Sequence, residues 1–170
     1  MAAFPVHTVE WKAQGQTALR RLTVSLPWYG IVAGVVVHAY RWAALSTFVP
    51  RGFGMILVEV SIGVALICAL TASHLANFTL RSWRWRAPAF GAFIALGESV
   101  LGLVLTLLHQ ERLGRAEATL GEWPSSVLAI LLSRVLIVSL FALVLAVVVV
   151  ALRKSVSTMT GNAERGTGNE

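Results

Sequence analysis

Four ionisable side chains lie within long apolar stretches of this chain: His38, Glu59, Glu98 and Arg134. Ionisable groups at membrane depth are costly and face protein or a water-filled cavity rather than lipid. The pairing that lowers this cost most is Glu98 with Arg134, because a guanidinium fork can hold a carboxylate through two hydrogen bonds. Such a pair has two uses. It can relay protons or ions, with Glu98 as the titrating acid and Arg134 as the charge that tunes it. It can also be a fixed tie that decides which helices are neighbours, and that is the expected use. A helical rise of about 1.5 Å per residue puts Glu98 at about 16 Å and Arg134 at about 18 Å from the cytoplasmic edge. On the same ruler His38 comes at about 22 Å and Glu59 at about 24 Å. Four polar groups from four segments thus fall in the outer half, and one cluster is expected. Glu59 is near enough to the outer interface to snorkel to water.

Most other chemistry is excluded by inventory. The single cysteine, Cys68, forms no internal disulfide, thiol relay, thiolate zinc site or iron–sulfur cluster. Aspartate is absent altogether, which removes the aspartate-rich magnesium sites of many intramembrane transferases. No phosphate-binding glycine loop, nucleophile elbow or H-E-x-x-H zinc motif is present, so no metal site is expected. A bis-histidine haem needs two imidazoles at one depth, and His38, His74 and His109 stand at three different depths. His38 alone remains a candidate axial ligand for a chlorophyll-type pigment or a haem, with Gly30 and Gly34 leaving room for a ring. A hydrogen bond from His38 to Glu59 or to backbone is the expected state, and a bound lipid is the other ligand considered. A Ser99–His38 hydrolase lacks an oxyanion hole and an orienting acid, so Ser99 is read as a packing residue.

The elements that must position these groups follow from composition. Of 170 residues, 56% are apolar and 13% charged, where soluble domains carry about 45–50% and about 25%. With a mean hydropathy of +0.74, the chain reads as an all-α integral membrane four-helix bundle with short loops. The spans are placed near Leu22–Leu45, Gly54–Phe78, Pro88–Leu108 and Val127–Leu152, each long enough for a hydrocarbon core of about 30 Å. Nine basic residues flank one side (Lys12, Arg20, Arg21, Arg81, Arg84, Arg86, Arg153, Lys154 and Arg165) and four the other (Arg41, Arg51, Arg112 and Arg115). That bias places both termini in the cytoplasm. It also accounts for the net charge of +6 without nucleic acid as a partner. Residues 1–21 are expected to form an interfacial segment, and Arg20-Arg21 to be a topology flank rather than an export signal. Residues 153–170 are expected to be a mobile polar tail. The loop Arg81-Ser-Trp83-Arg84-Trp85-Arg86 is read as a headgroup-level anchor. Arginine outnumbers lysine twelve to two, a usage associated with GC-rich bacteria, so a bacterial cytoplasmic membrane is the expected location.

Small residues mark the faces that can approach closely. Gly30 and Gly34 form a G-x-x-x-G that leads to His38, and Gly91, Ala95 and Ser99 repeat every fourth residue beside Glu98. His38 and Glu98 should therefore point toward protein.

The outer loop Glu111-Arg112-Leu-Gly-Arg115-Ala116 is similar to the E-R-x-x-R-A signature of the membrane-associated eicosanoid and glutathione proteins, which are also four-helix bundles. In that family the motif precedes the second helix and helps hold glutathione. Here it precedes the fourth and falls on the outer side, with no tyrosine after it, so the match of about one tenth of the chain is read as coincidence. The stretch is expected to form a short amphipathic loop helix, with Leu113 and Leu120 toward the bundle and Glu111–Arg115 as a surface pair. The functional expectation is a non-catalytic accessory subunit of a larger membrane complex, respiratory or photosynthetic, whose partners are other transmembrane subunits and lipid. The alternative is a small oligomeric proton-coupled transporter or channel using Glu98 and Arg134.

Overall fold

The computed structural model describes residues 21–46, 52–113 and 116–166. The described residues are helical apart from turns and one two-residue antiparallel pair. After a helical turn at 21–24, α1 runs Leu26–Ser46, α2 Phe53–Leu75, α3 Leu80–Leu107 and α4 Trp123–Gly166. Pro27 and Pro124 stand in the first turns of α1 and α4, where a missing N–H removes no intrahelical bond.

Three of these helices, α2, α3 and the part of α4 from Trp123 to Ser155, are long and apolar enough to cross a membrane. This is the make-up of a multi-pass membrane protein. α1 has 21 residues, a length that reaches about 30 Å. It is not among the three, and His38, Tyr40 and Arg41 are the polar residues that interrupt its apolar run.

Three boundaries differ from the sequence reading. α3 begins eight residues before Pro88, so this proline sits inside the helix. The polar residues before it are helix formers, which a search for apolar stretches discards. α4 continues past Leu152 to Gly166, and Gly161 inside that stretch does not end it. The stretch expected as a loop helix is instead a hairpin, β1 (Arg112–Leu113) paired with β2 (Ala116–Glu117). The chain enters it through His109, whose φ of 55° is left-handed and ends α3 as a C-cap does. Leu120 is exposed rather than turned to the bundle.

The centre of the bundle is α3, against which α1 and α4 each pack. Both small-residue seams are used here. A Cβ on Gly34 would run into the Ile94 carbonyl, and one on Gly97 into that of Ile31, so α1 and α3 meet backbone to backbone. A Cβ on Gly91 would come within 2.9 Å of the Arg134 carbonyl, which sets the α3–α4 approach. Ser99 donates to the Ala95 carbonyl and Thr106 to that of Gly102, so these hydroxyls stay satisfied inside an apolar contact.

α2 joins by one half only. Ile67, Thr71, His74 and Leu75 are buried, whereas the large side chains from Phe53 to Val64 stand exposed. The buried end is an aromatic stack. The His74 ring lies 4.7 Å from that of Phe90, which in turn stacks on Tyr29 at 5.7 Å. His74 Nδ1 donates to the Thr23 carbonyl at 2.7 Å.

The basic–aromatic stretch is split by the fold. Arg81, Arg84 and Trp85 are exposed, as a headgroup anchor requires. Trp83 is buried and is corrected from anchor to cap: its Nε1 donates to the Leu75 and Phe78 carbonyls at the end of α2. Arg86 lies 3.5 Å over the Phe78 ring and 4.5 Å from that of Trp85, a cation–π sandwich at the start of the bundle.

Candidate functional site

Two buried carboxylates organise the half of the bundle that carries the hairpin. Glu98, on α3, has no solvent exposure. Arg134, on α4, donates from Nε to its Oε1 and from Nη2 to its Oε2, the latter at 3.0 Å. This is the two-point grip expected from the sequence. It forms because the Gly91 contact brings the α4 backbone at Arg134 against α3 two turns before Glu98.

The second carboxylate is Glu111, immediately before the hairpin and 9% exposed. His38 and Arg41 of α1 both reach it. Arg41 Nη2 donates to His38 Nδ1 at 3.0 Å and to Glu111 Oε1 at 3.4 Å. A guanidinium can only donate, so Nδ1 is the accepting nitrogen and the ring proton sits on Nε2. That nitrogen then donates to Glu111 Oε2 at 3.0 Å. His38 is therefore a neutral imidazole clamped at both nitrogens, with Gly102 of α3 directly beneath it, where a Cβ would come within 3.0 Å of Cε1. Arg41 Nη1 stands 3.8 Å from Glu98 Oε2 and links the two carboxylates.

The charges balance: two carboxylates, Glu98 and Glu111, face two guanidinium groups, Arg41 and Arg134, with neutral His38 among them. Beside them is a cavity of about 220 Å³. Its lining includes His38, Arg41, Glu98 and Glu111 together with Trp123, Val127 and Ile130 of α4.

Of the four membrane-depth groups read from the sequence, three meet here. His38, Glu98 and Arg134 belong to one network, while Glu59 does not line the cavity. It lies half-exposed on α2, where its backbone carbonyl accepts from the Tyr40 hydroxyl at 3.0 Å. The expected His38–Glu59 hydrogen bond is replaced by His38–Glu111. Arg41 and Glu111 are the residues that the sequence reading missed. Arg41 stands three positions after His38 on one helix face, a spacing that places the two side chains together. The sequence reading pairs Glu111 with Arg115 at the surface; Arg115 lies outside the described residues, and the network takes Glu111 inward instead.

Two further expectations are revised. Gly30 and Gly34 leave no room for a macrocycle, since Phe93 and Ile94 of α3 fill that face. With both ring nitrogens engaged, His38 has none to offer as an axial ligand, and the pigment or haem reading is dropped. Ser99 lines the cavity, but its hydroxyl donates to the backbone and His38 is turned to Glu111, so no serine–histidine pair forms. Among the described residues no group of three or more His, Cys, Asp or Glu side chains could hold a metal ion.

No family model, curated protein or solved structure matches this chain.

Proposed function

We propose that the chain is a non-catalytic transmembrane subunit of a larger membrane assembly, crossing the bilayer four times with both termini in the cytoplasm. The observation that carries this reading is an unused seam on α2. Ser61, Ala65 and Ala69 recur every fourth residue and are all exposed. Ser61 donates to the Leu57 carbonyl at 2.8 Å, so its hydroxyl keeps that face compact. Small residues at this spacing are how membrane helices pack closely when no hydrophobic drive separates helix from lipid. The seams of α1 and α3 are consumed inside the bundle, and that of α2 faces outward. α1 joins as a fourth span because Arg41 and His38 are neutralised within the bundle rather than carried bare into lipid. The basic-residue bias supports the orientation.

The ion-pair network supports a structural rather than a transporting role. A coupling acid must exchange its proton with water on each cycle, and Glu98 is enclosed and held from both oxygens. The narrower expectations, a respiratory or photosynthetic assembly in a bacterial cytoplasmic membrane, belong to the same proposal. One experiment tests all of it: purification of the full chain from its native membranes in mild detergent, with an absorption spectrum of the particle. A complex well above 18.3 kDa, released by Ala65→Leu without loss of helicity, is the expected result. Migration as a lone small species, or a complex indifferent to Ala65→Leu, overturns the proposal. Chromophores co-purifying with the complex identify an energy-converting assembly.

A further inference from the structure

We infer that the cavity between α1, α3, α4 and the residues flanking the hairpin binds a lipid-borne amphiphile whose head is a neutral ring bearing carbonyl oxygens, quinonoid in type. The inference goes beyond the subunit reading and does not rest on it.

Size comes first. A cavity of about 150 Å³ is enough to take up benzene. At about 220 Å³ this one admits a six-membered ring with small substituents. Its lining is mixed, with ionisable groups, the hydroxyl residues Thr119 and Ser126, and the apolar Trp123, Val127 and Ile130. An indole and hydrogen-bonding groups in one lining suit a flat ring that stacks on its face and hydrogen-bonds at its edge.

Charge then selects among heads. Glu98 and Glu111 already balance Arg41 and Arg134, and His38 is neutral. A phosphate or carboxylate head would meet two carboxylates with no surplus cation. An ammonium head would meet two guanidinium groups with no surplus anion. A neutral head disturbs neither balance.

Unused hydrogen-bonding capacity selects the polarity of that head. Among the described residues Arg41 Nη1 has only Glu98 near it, at 3.8 Å, beyond hydrogen-bonding distance. The guanidinium therefore keeps N–H groups to give. The carboxylate oxygens, by contrast, already accept from Arg134, His38 and Arg41. A ring carbonyl is the neutral acceptor that a flat head brings to this guanidinium. Entry is from the bilayer: no described residue of α2 lines the cavity, and the half of α2 from Phe53 to Val64 is exposed rather than packed across it. The tail of the amphiphile remains in lipid.

The test uses the full chain in lipid nanodiscs and a 1,4-benzoquinone bearing a decyl chain, followed by quenching of tryptophan fluorescence. One saturable site per chain is expected above the linear partitioning seen with empty nanodiscs. Ser126→Phe, which fills the cavity from α4, should weaken the site at least tenfold, and Val144→Phe on the outer face of α4 should leave it unchanged. Arg41→Met is the second variant, should Ser126→Phe not fold; its unbranched side chain carries no N–H, and it is also expected to weaken binding at least tenfold. Decyl phosphate and decyltrimethylammonium should not compete. Linear partitioning alone, a saturable site indifferent to the folded cavity variants, or competition by either charged amphiphile overturns the inference.

Discussion

Arg134 holds Glu98 by both carboxylate oxygens across the α3–α4 contact, at a point where Glu98 has no solvent exposure. Breaking such a pair from one side strands the other charge. Replacing both members by apolar groups of similar volume strands nothing. Glu98→Gln should therefore lower stability by about 3 kcal/mol, the low end for buried pairs because the Arg134 side chain is 16% exposed. Glu98→Leu combined with Arg134→Met should recover most of that loss. Thermal unfolding in detergent, followed by circular dichroism, reads both. A double variant no better than the single one would mean that the pair holds more than its own two charges.

The second carboxylate offers a spectroscopic prediction. Because Arg41 can only donate to Nδ1, nitrogen-15 shifts of His38 should show a bare Nδ1 and a protonated Nε2. Arg41→Ala withdraws one of the two clamps, and the Glu111 carboxylate, which can only accept, should still hold the proton on Nε2; only Arg41→Ala combined with Glu111→Ala should let the two forms mix. A wild-type ring protonated on Nδ1 would refute the Arg41–His38–Glu111 chain.

The difference between these two sites shows what a sequence can disclose. Glu98 and Arg134 could be paired in advance because lipid leaves a buried charge few options, and depth along a helix is simple counting. Glu111 could not. It sits beyond the end of α3, where a sequence reading places water, and only the left-handed turn at His109 brings the chain back over the bundle. Arg41 was counted as a flank because topology rules weigh basic residues by side and ignore what stands one turn away. The same blindness affected Trp83, whose neighbours Arg81, Arg84 and Trp85 do face outward. The helical class and the small-residue faces of α1 and α3 were legible, since period and small residues act locally; which helices those faces join was not. Which half of α2 stays in the bundle depends on tertiary contacts that no local pattern encodes.

Glycine substitutions separate seams from bystanders. A methyl group on Gly34 would collide with the Ile94 backbone, and backbone cannot step aside without moving α3. Overpacking of this kind costs about 1–3 kcal/mol, and Gly34→Ala should fall at the upper end. Gly54 has nothing within 4 Å of the added methyl. Gly54→Ala should be neutral or stabilising by up to about 1 kcal/mol, since alanine restricts the unfolded chain. Melting temperatures measured side by side check the contrast, and equal effects at both positions would contradict the close α1–α3 approach.

Trp83 ties the end of α2 to the start of α3. Its single N–H is shared between the Leu75 carbonyl at 3.0 Å, which also takes the Phe78 N–H, and the Phe78 carbonyl at 3.1 Å. Trp83→Phe keeps a ring in the core but withdraws the donor, and unsatisfied groups of this kind cost about 1–3 kcal/mol. The loss should concentrate in the turn, because the buried half of α2 is still held by the His74–Phe90 stack. Hydrogen exchange at Ala76, Asn77 and Phe78 should accelerate by about tenfold or more, the ratio that corresponds to about 1.4 kcal/mol, while the middle of α3 stays protected. Trp85→Phe, at an exposed position two residues on, should change neither exchange nor melting. If the two variants behave alike, both tryptophans act at the headgroup level, and the capping role assigned to Trp83 fails.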